Sequence, residues 1–146
     1  MRDPNQKYPE HPVFFSKAQH CMNGPFSPIP FDRNVSTMID WEGELAVIIG
    51  RRGRNIAEAN AMDYVFGFSV INDTTARDLQ QTRHGGQWFK GKSLDGACPM
   101  GPWIVTADEI PDPHHLQVTC RVNGVVKQHA STEVMIFHIP EIIAIL

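Results

Sequence analysis

Apolar and polar residues alternate most regularly between positions 116 and 128. Residues 116–122 carry Leu, Val, Cys and Val at every second position, with polar side chains between them. A second run, residues 125–128, follows directly after Asn123 and Gly124. A period of two is typical of a strand with one buried face, and Asn-Gly is favoured in two-residue type I′ turns. The pattern therefore predicts a β-hairpin.

Two denser apolar runs predict buried strands at residues 44–49 and 65–72. Gly50 and a polar loop end the first run, and Asp73 closes the second. The remaining elements are predicted to be short. They are strands at 13–15, 88–89 and 103–105, a helix from its N-cap Asn55 to Met62, a helical turn from Asp73 to residue 80, and a helix at 141–146 opened by Pro140.

The predicted last helix has no stop signal. Residues 142–146 read Ile-Ile-Ala-Ile-Leu, without a glycine or a polar cap. Two alternatives remain open from the pattern: a continuation of the chain, or a partner that covers this end.

Composition narrows the class of protein. The chain has 146 residues, of which 42% are hydrophobic and 20% charged, as is usual for one soluble globular domain. The net charge of -3 gives no general attraction to nucleic acid or anionic lipid. Three cysteines without CxxC spacing are expected to be reduced thiols, which favours a cytoplasmic location. The polar N-terminus does not resemble a signal peptide, and no apolar run approaches a membrane span.

Three carboxylates are the most functional-looking feature of the chain. Glu42 and Glu44 are two residues apart, so on a strand they point to the same side. If the second strand lies alongside, Asp73 joins them. Converging carboxylates repel unless a cation lies between them, and all-oxygen ligands favour Mg²⁺, with Mn²⁺ or Ca²⁺ as alternatives. The competing interpretations are a solvated Glu-x-Glu face and an Asp73 that merely caps a helix.

Other polar residues have two interpretations each. Lys92 is either an exposed lysine or a desolvated one that donates to an anion. The arginines of residues 51–54 resemble a phosphate-binding patch but are more typical of a solvated turn. His84 is expected in a loop, and Cys98 is expected to be buried and inert.

In order and spacing, these pieces resemble the catalytic domain of the fumarylacetoacetate hydrolase family. The resemblance runs over nearly the whole chain. It is most specific in residues 41–50 (WEGELAVIIG), 72–80 (NDTTARDLQ), 91–96 (GKSLDG), 98–102 (CPMGP) and 135–137 (MIF). It implies an α+β, mostly β fold, a mixed β-roll or β-sandwich with short helices.

The resemblance also implies residue roles. Glu42, Glu44 and Asp73 match the metal ligands of the family, and Lys92 matches a lysine that contacts the substrate beside the metal. Gln80 matches a glutamine that lines the same pocket. Two further matches are Lys17, a lysine near the site that is expected to contact the substrate, and the pair Arg77 and Asp78, which is expected to give structural support.

The implied function is that of a divalent-metal enzyme, often a homodimer, acting on small β-dicarbonyl or other oxo acids. The implied reactions are carbon–carbon hydrolysis, decarboxylation and enol–keto isomerisation, as in the catabolism of aromatic compounds.

Two family motifs have no match in the sequence. One is a lid motif with a His/Glu pair that activates water, and the other is a Thr-Gly-Thr-Pro loop. The chain is therefore expected to be one incomplete catalytic domain, irregular over 1–40 and with the metal-site core in 41–146. Hydrolysis is the least expected of the three activities. The alternative is an inactive remnant that keeps the scaffold or an oligomer interface.

Overall fold

The computed structural model describes residues 7–146. Short strands and short helices alternate along this part of the chain. The strands are β1 (Met22–Asn23), β2 (Ile39–Asp40), β3 (Gly43–Ile49), β4 (Val65–Asn72), β5 (Thr75–Ala76), β6 (Cys98–Pro99), β7 (Val105–Thr106), β8 (Gln117–Val122) and β9 (Val125–Ser131). The α-helices are α1 (Phe89–Lys92) and α2 (Ile139–Ile145), with a π-helical turn at Leu79–Arg83. Five 3-10 helices lie at Gln19–Cys21, Glu58–Tyr64, Ala107–Glu109, Pro113–His115 and Thr132–Val134.

The strands form four small sheets. One sheet has the order β3-β4-β7, and the antiparallel pair β8-β9 forms a second. The parallel pair β1-β6 and the antiparallel pair β2-β5 complete the set. Mixed pairing with short helices confirms the α+β, mostly β class predicted from the sequence. Among residues 7–146, no helix has the length and apolar character needed to cross a membrane.

The chain divides into two compact units. One contains residues 7–13, 47–68 and 104–146 of the described chain. Within it, Ile139 and Ile143 of α2 are buried, and α2 packs on the 3-10 helix Glu58–Tyr64, whose Ala61 is fully buried. The predicted hairpin is confirmed as β8 and β9.

The turn of this hairpin explains its Asn-Gly sequence. Asn123 has φ 51° and Gly124 has φ 80°. A type I′ turn requires positive φ at both central residues, and Asn and Gly tolerate that conformation best.

The second unit contains residues 14–46 and 69–103. Its core includes Cys21, Ala76 and Cys98, each with no exposed surface. Asp78 is also buried there and accepts a hydrogen bond of 2.5 Å from the hydroxyl of Ser36. All the residues of the candidate site belong to this unit.

Two predicted strands were wrong. Residues 13–15 form no strand; instead the Phe15 ring packs edge-on against Trp88. Residues 88–89 open a helix, because the Lys92 N–H donates to the Trp88 carbonyl at 3.1 Å. The strand predicted at 103–105 begins later, as β7.

Two predicted helix starts were also wrong. The helix expected from Asn55 is the 3-10 helix Glu58–Tyr64, and Asn55 itself adopts a left-handed conformation with φ 53°. The turn expected from Asp73 begins only at Arg77, because residues 75–76 pair with β2. Asp73 is therefore not a helix cap.

Candidate metal and substrate site

The ends of two strands bring the three carboxylates together. Glu42 directly precedes β3, Glu44 is its second residue, and Asp73 directly follows β4. The Asp73 N–H donates to the Glu42 carbonyl at 2.9 Å. The Glu42 N–H donates to the Asn72 side-chain oxygen at 3.0 Å. These two bonds hold the backbones of the carboxylate-bearing segments side by side.

The carboxylates converge closely enough to share a cation. One oxygen from each of Glu42, Glu44 and Asp73 lies within 4.8 Å of the others. Asp73 is 3% exposed, Glu42 is half-buried and Glu44 is exposed. Within residues 7–146 this is the one cluster of three such side chains with this spacing. Three carboxylate oxygens suit a hard divalent ion.

Cationic side chains occupy two of the three carboxylates. Lys92 Nζ lies 2.5 Å from Glu42 Oε2 and 2.8 Å from Asp73 Oδ2. Lys17 Nζ lies 2.5 Å from Asp73 Oδ1. Arg77 Nη1 lies 2.6 Å from Glu42 Oε1. Each oxygen of Glu42 and of Asp73 therefore has one cationic partner.

Glu44 is the carboxylate for which the described residues provide no such partner. Among the described residues, no lysine or arginine nitrogen lies within 4.0 Å of its oxygens. The pKa of Glu44 is raised to about 7. Removal of its carboxyl from water is the largest cause, and the charges of Asp73 and Glu42 follow, while Lys92 opposes the shift. Although the residue keeps an exposed surface, its carboxyl faces the other two carboxylates, and their negative charges disfavour its ionised form.

The backbone around Gly91 explains why Lys92 is buried. A Cβ atom at position 91 would lie 2.7 Å from the Gln80 backbone nitrogen and 2.9 Å from the Ala76 carbonyl oxygen. Only glycine permits this approach, which carries α1 against the 76–80 segment. Lys92 is 2% exposed as a result. The interpretation of Lys92 as a desolvated lysine is therefore confirmed, and the exposed alternative is wrong.

Arg77 connects the carboxylates to Gln80. Its Nε donates to Asp40 at 2.9 Å, and its Nη1 donates to the Gln80 side-chain oxygen at 3.0 Å. Gln80 is 5% exposed and lines the same pocket as Glu42. Because Arg77 occupies the amide oxygen, the amide nitrogen of Gln80 is the group left to donate to a ligand.

Three pocket residues were missed in the sequence: Phe15, Gln81 and Trp88. They line a cavity of about 420 Å³ together with the carboxylates, Arg77, Gln80 and Lys92. The sequence contains only weak signals for two of them, namely their spacing from the site lysines. Phe15 is two residues before Lys17, and Trp88 is four residues before Lys92, one helical turn away.

The other candidates lie outside this pocket. Arg51, Arg52 and Arg54 are exposed, as expected of a solvated turn, and Arg51 stacks 4.1 Å from the centre of the Tyr64 ring. His84 is in an exposed turn. Cys98 is fully buried, and burial of its thiol is the main cause that raises its pKa to about 11. Its thiol is therefore protonated near neutral pH, as an inert cysteine requires.

Known proteins match the chain over nearly its whole length. The family described as fumarylacetoacetate (FAA) hydrolase, C-terminal, matches residues 1–146. The oxaloacetate tautomerase YisK of Bacillus subtilis is 47% identical over 138 residues, 94% of this chain and 45% of that protein. A mitochondrial oxaloacetate tautomerase of Xenopus laevis is 44% identical over 142 residues, 97% of this chain and 44% of that protein. The chain thus spans about half the length of the curated relatives it matches.

Solved structures also match this chain. A fumarylacetoacetate hydrolase from Exiguobacterium antarcticum has a TM-score of 0.86 and 48% identity, covering 90% of this chain and 47% of its own. A maleylpyruvate hydrolase from Sphingobium sp. SYK-6, solved with manganese(II) and pyruvate, has a TM-score of 0.80 and 33% identity. The match covers 92% of this chain and 48% of that one. These neighbours confirm the fold type expected from the sequence.

Proposed function

The chain belongs to the fumarylacetoacetate hydrolase family, and from this premise we propose that it serves a divalent-metal-dependent enzyme acting on small oxo acids. The observation that carries the proposal is the convergence of Glu42, Glu44 and Asp73 beside the buried Lys92. The maleylpyruvate hydrolase neighbour holds manganese(II), which supports a metal of this class. Mg²⁺ and Ca²⁺ suit the same oxygen ligands.

A divalent ion held by the three carboxylates would supply Lewis-acid polarisation of two neighbouring substrate oxygens. The side chains of this chain would bind and orient the substrate. Lys92 donates a hydrogen bond to the substrate oxygen that gains negative charge as an enolate forms. Gln80 donates its amide nitrogen to the substrate, while Arg77 holds the amide oxygen. Lys17 remains a predicted substrate contact, and its bond to Asp73 supports a role in holding that carboxylate.

Among the reactions, we favour enol–keto isomerisation of an acid of the oxaloacetate type. The curated relatives from Bacillus subtilis and Xenopus laevis, both over 40% identical, are named oxaloacetate tautomerases. Tautomerisation moves one proton between oxygen and carbon, so it needs no activated water. Hydrolysis of a carbon–carbon bond is the second candidate, favoured by the maleylpyruvate hydrolase neighbour. An inactive remnant is opposed by the intact set of carboxylates around Lys92. The homodimer and the cytoplasmic location remain predictions.

Titration calorimetry with MnCl₂ tests the metal, and decay of the oxaloacetate enol absorbance tests the reaction. Glu44→Gln should abolish Mn²⁺ binding, because it removes one of three oxygen ligands. The matched control is Glu58→Gln, an exposed glutamate on a 3-10 helix of the other unit. Equal Mn²⁺ affinity in wild type and Glu44→Gln would eliminate this metal site. A wild-type protein that binds Mn²⁺ but leaves enol decay at the uncatalysed rate would eliminate the tautomerase.

A further inference from the structure

Lys92 has three N–H donors, and only two of them have carboxylate partners. Those two are Glu42, at 2.5 Å, and Asp73, at 2.8 Å. The remaining side of the ammonium group faces an aromatic ring: Lys92 Nζ lies 5.1 Å from the centre of the Phe15 ring. This distance is within the range of a cation–π contact, which strengthens when the cation is desolvated. Lys92, at 2% exposure, is desolvated.

A second aromatic ring fixes the first. The ring centres of Phe15 and Trp88 are 5.3 Å apart at an interplanar angle of 61°, an edge-to-face arrangement. Trp88 is in turn bonded to the backbone of Lys92, because its carbonyl oxygen accepts the Lys92 backbone N–H at 3.1 Å. Both rings line the cavity that contains the carboxylates. Phe15 is 38% exposed, so its ring lies between solvent and a nearly inaccessible ammonium group.

From this geometry we infer that Phe15, held by Trp88, is a positioning residue that acts through Lys92. Its ring excludes water from the third donor side of the ammonium group and keeps Nζ beside Glu42 and Asp73. The inference deepens the proposed function and rests on it, since Lys92 is the group that meets the enolate oxygen. The substrate oxyanion would replace one of the two carboxylates as acceptor of a Lys92 N–H, and an ammonium group whose third side is kept dry donates more strongly to it than one with a competing water.

Lysine labelling tests the placement without any reliance on activity. Wild type, Phe15→Leu and Phe15→Tyr are treated with formaldehyde and cyanoborohydride, and methylation of each lysine is followed by mass spectrometry. Lys90 is exposed and is the internal reference two residues away. Phe15→Leu should raise Lys92 labelling severalfold relative to Lys90, and Phe15→Tyr, which keeps the ring, should match wild type. The control is Phe14→Leu, because Phe14 is an exposed neighbour that does not line this cavity.

Kinetics on the same variants separate positioning from simple destabilisation. Phe15→Leu should lower kcat for oxaloacetate tautomerisation by about two- to thirtyfold, which corresponds to the known size of cation–π contacts. KM should change little, because the Lys92 hydrogen bond strengthens as negative charge develops on the substrate oxygen during the reaction. Phe15→Tyr should restore kcat.

The two tests fail separately. Unchanged Lys92 labelling in Phe15→Leu overturns the inference, whatever the kinetics. Increased labelling with the expected loss of kcat supports it. If Phe15→Leu raises Lys92 labelling but the wild-type protein has no tautomerase activity, the shielding of Lys92 is supported and the proposed reaction is eliminated.

Discussion

Replacement of Lys92 by methionine should destabilise the metal-free protein. Methionine has a similar length and no charge, so the change removes one ammonium group from between Glu42 and Asp73 while it retains most of the packing volume. The side chains of these two carboxylates are 21% and 5% exposed, so little solvent is available to compensate the lost charge.

The size of the effect follows from the remaining partners. Removal of one member of a buried ion pair costs about 3–5 kcal/mol. Here Arg77 stays on Glu42 and Lys17 stays on Asp73, so neither carboxylate is left without a cation. We therefore expect Lys92→Met to lower the free energy of unfolding by the lower end of this range, about 3 kcal/mol. At about 2–4 °C per kcal/mol for a chain of this size, the melting midpoint should fall by roughly 6–12 °C.

The assay is a thermal melt by circular dichroism in EDTA and again with saturating MnCl₂. Mn²⁺ should recover part of the loss in Lys92→Met, because a divalent cation replaces the missing positive charge between the carboxylates. Lys127→Met is the control: Lys127 is exposed on β9, and a change there should stay within about 0.5 kcal/mol. If Lys92→Met melts as close to wild type as Lys127→Met does, the charge balance described for the cluster is wrong.

Three further predictions concern the scaffold. Thr74 Oγ1 is the one buried side-chain polar atom without a hydrogen-bond partner in the described part of the chain. Thr74→Val removes ~1 kcal/mol of uncompensated desolvation and should therefore raise the melting midpoint by roughly 2–4 °C. A lower midpoint would mean that the hydroxyl has a partner. Gly91→Ala should cost about 1–3 kcal/mol in a urea titration, because its Cβ would lie 2.7 Å from the Gln80 nitrogen; a cost near zero would mean that α1 is not tightly packed. His114 Nε2 accepts the Ile139 N–H at 3.1 Å, and burial, then the neighbouring His138, lowers the pKa of His114. A lowered histidine pKa stabilises the protein at pH above the unfolded-state pKa of about 6.5, and this stability is lost as the pH falls through the folded-state pKa. His114→Gln should therefore reduce the fall in the urea midpoint between about pH 7.5 and 5.5. An unchanged dependence of the urea midpoint on pH would exclude His114 as its source.

The sequence by itself determined the elements whose signals are local and strong. The hairpin of β8 and β9 follows from alternation and from two residues that tolerate positive φ. The long strands β3 and β4 follow from their apolar runs, and α2 from the proline that opens it. Glu42, Glu44 and Asp73 were found because they flank these strands, and strand geometry specifies which way their side chains point.

Only the tertiary structure decided the shorter elements. Residues 88–89 and 73–76 contain too few positions for a period to be recognised, and their conformations depend on contacts made elsewhere. The hydrogen bond from the Lys92 backbone N–H to the Trp88 carbonyl holds residues 89–92 in a helix, and pairing with β2 keeps Thr75 and Ala76 extended.

The charge arrangement of the site was likewise beyond the sequence. Lys92 meets Glu42 across 50 residues of chain, and Lys17 meets Asp73 across 56. No local pattern records which cation faces which carboxylate, or that Glu44 has no cationic partner among residues 7–146. The Phe15–Trp88 contact spans a comparable distance along the chain and has no periodic signature at all. Burial depends on what the rest of the chain packs against a side chain, so the desolvation of Lys92 and the raised pKa of Glu44 arise only when the chain folds.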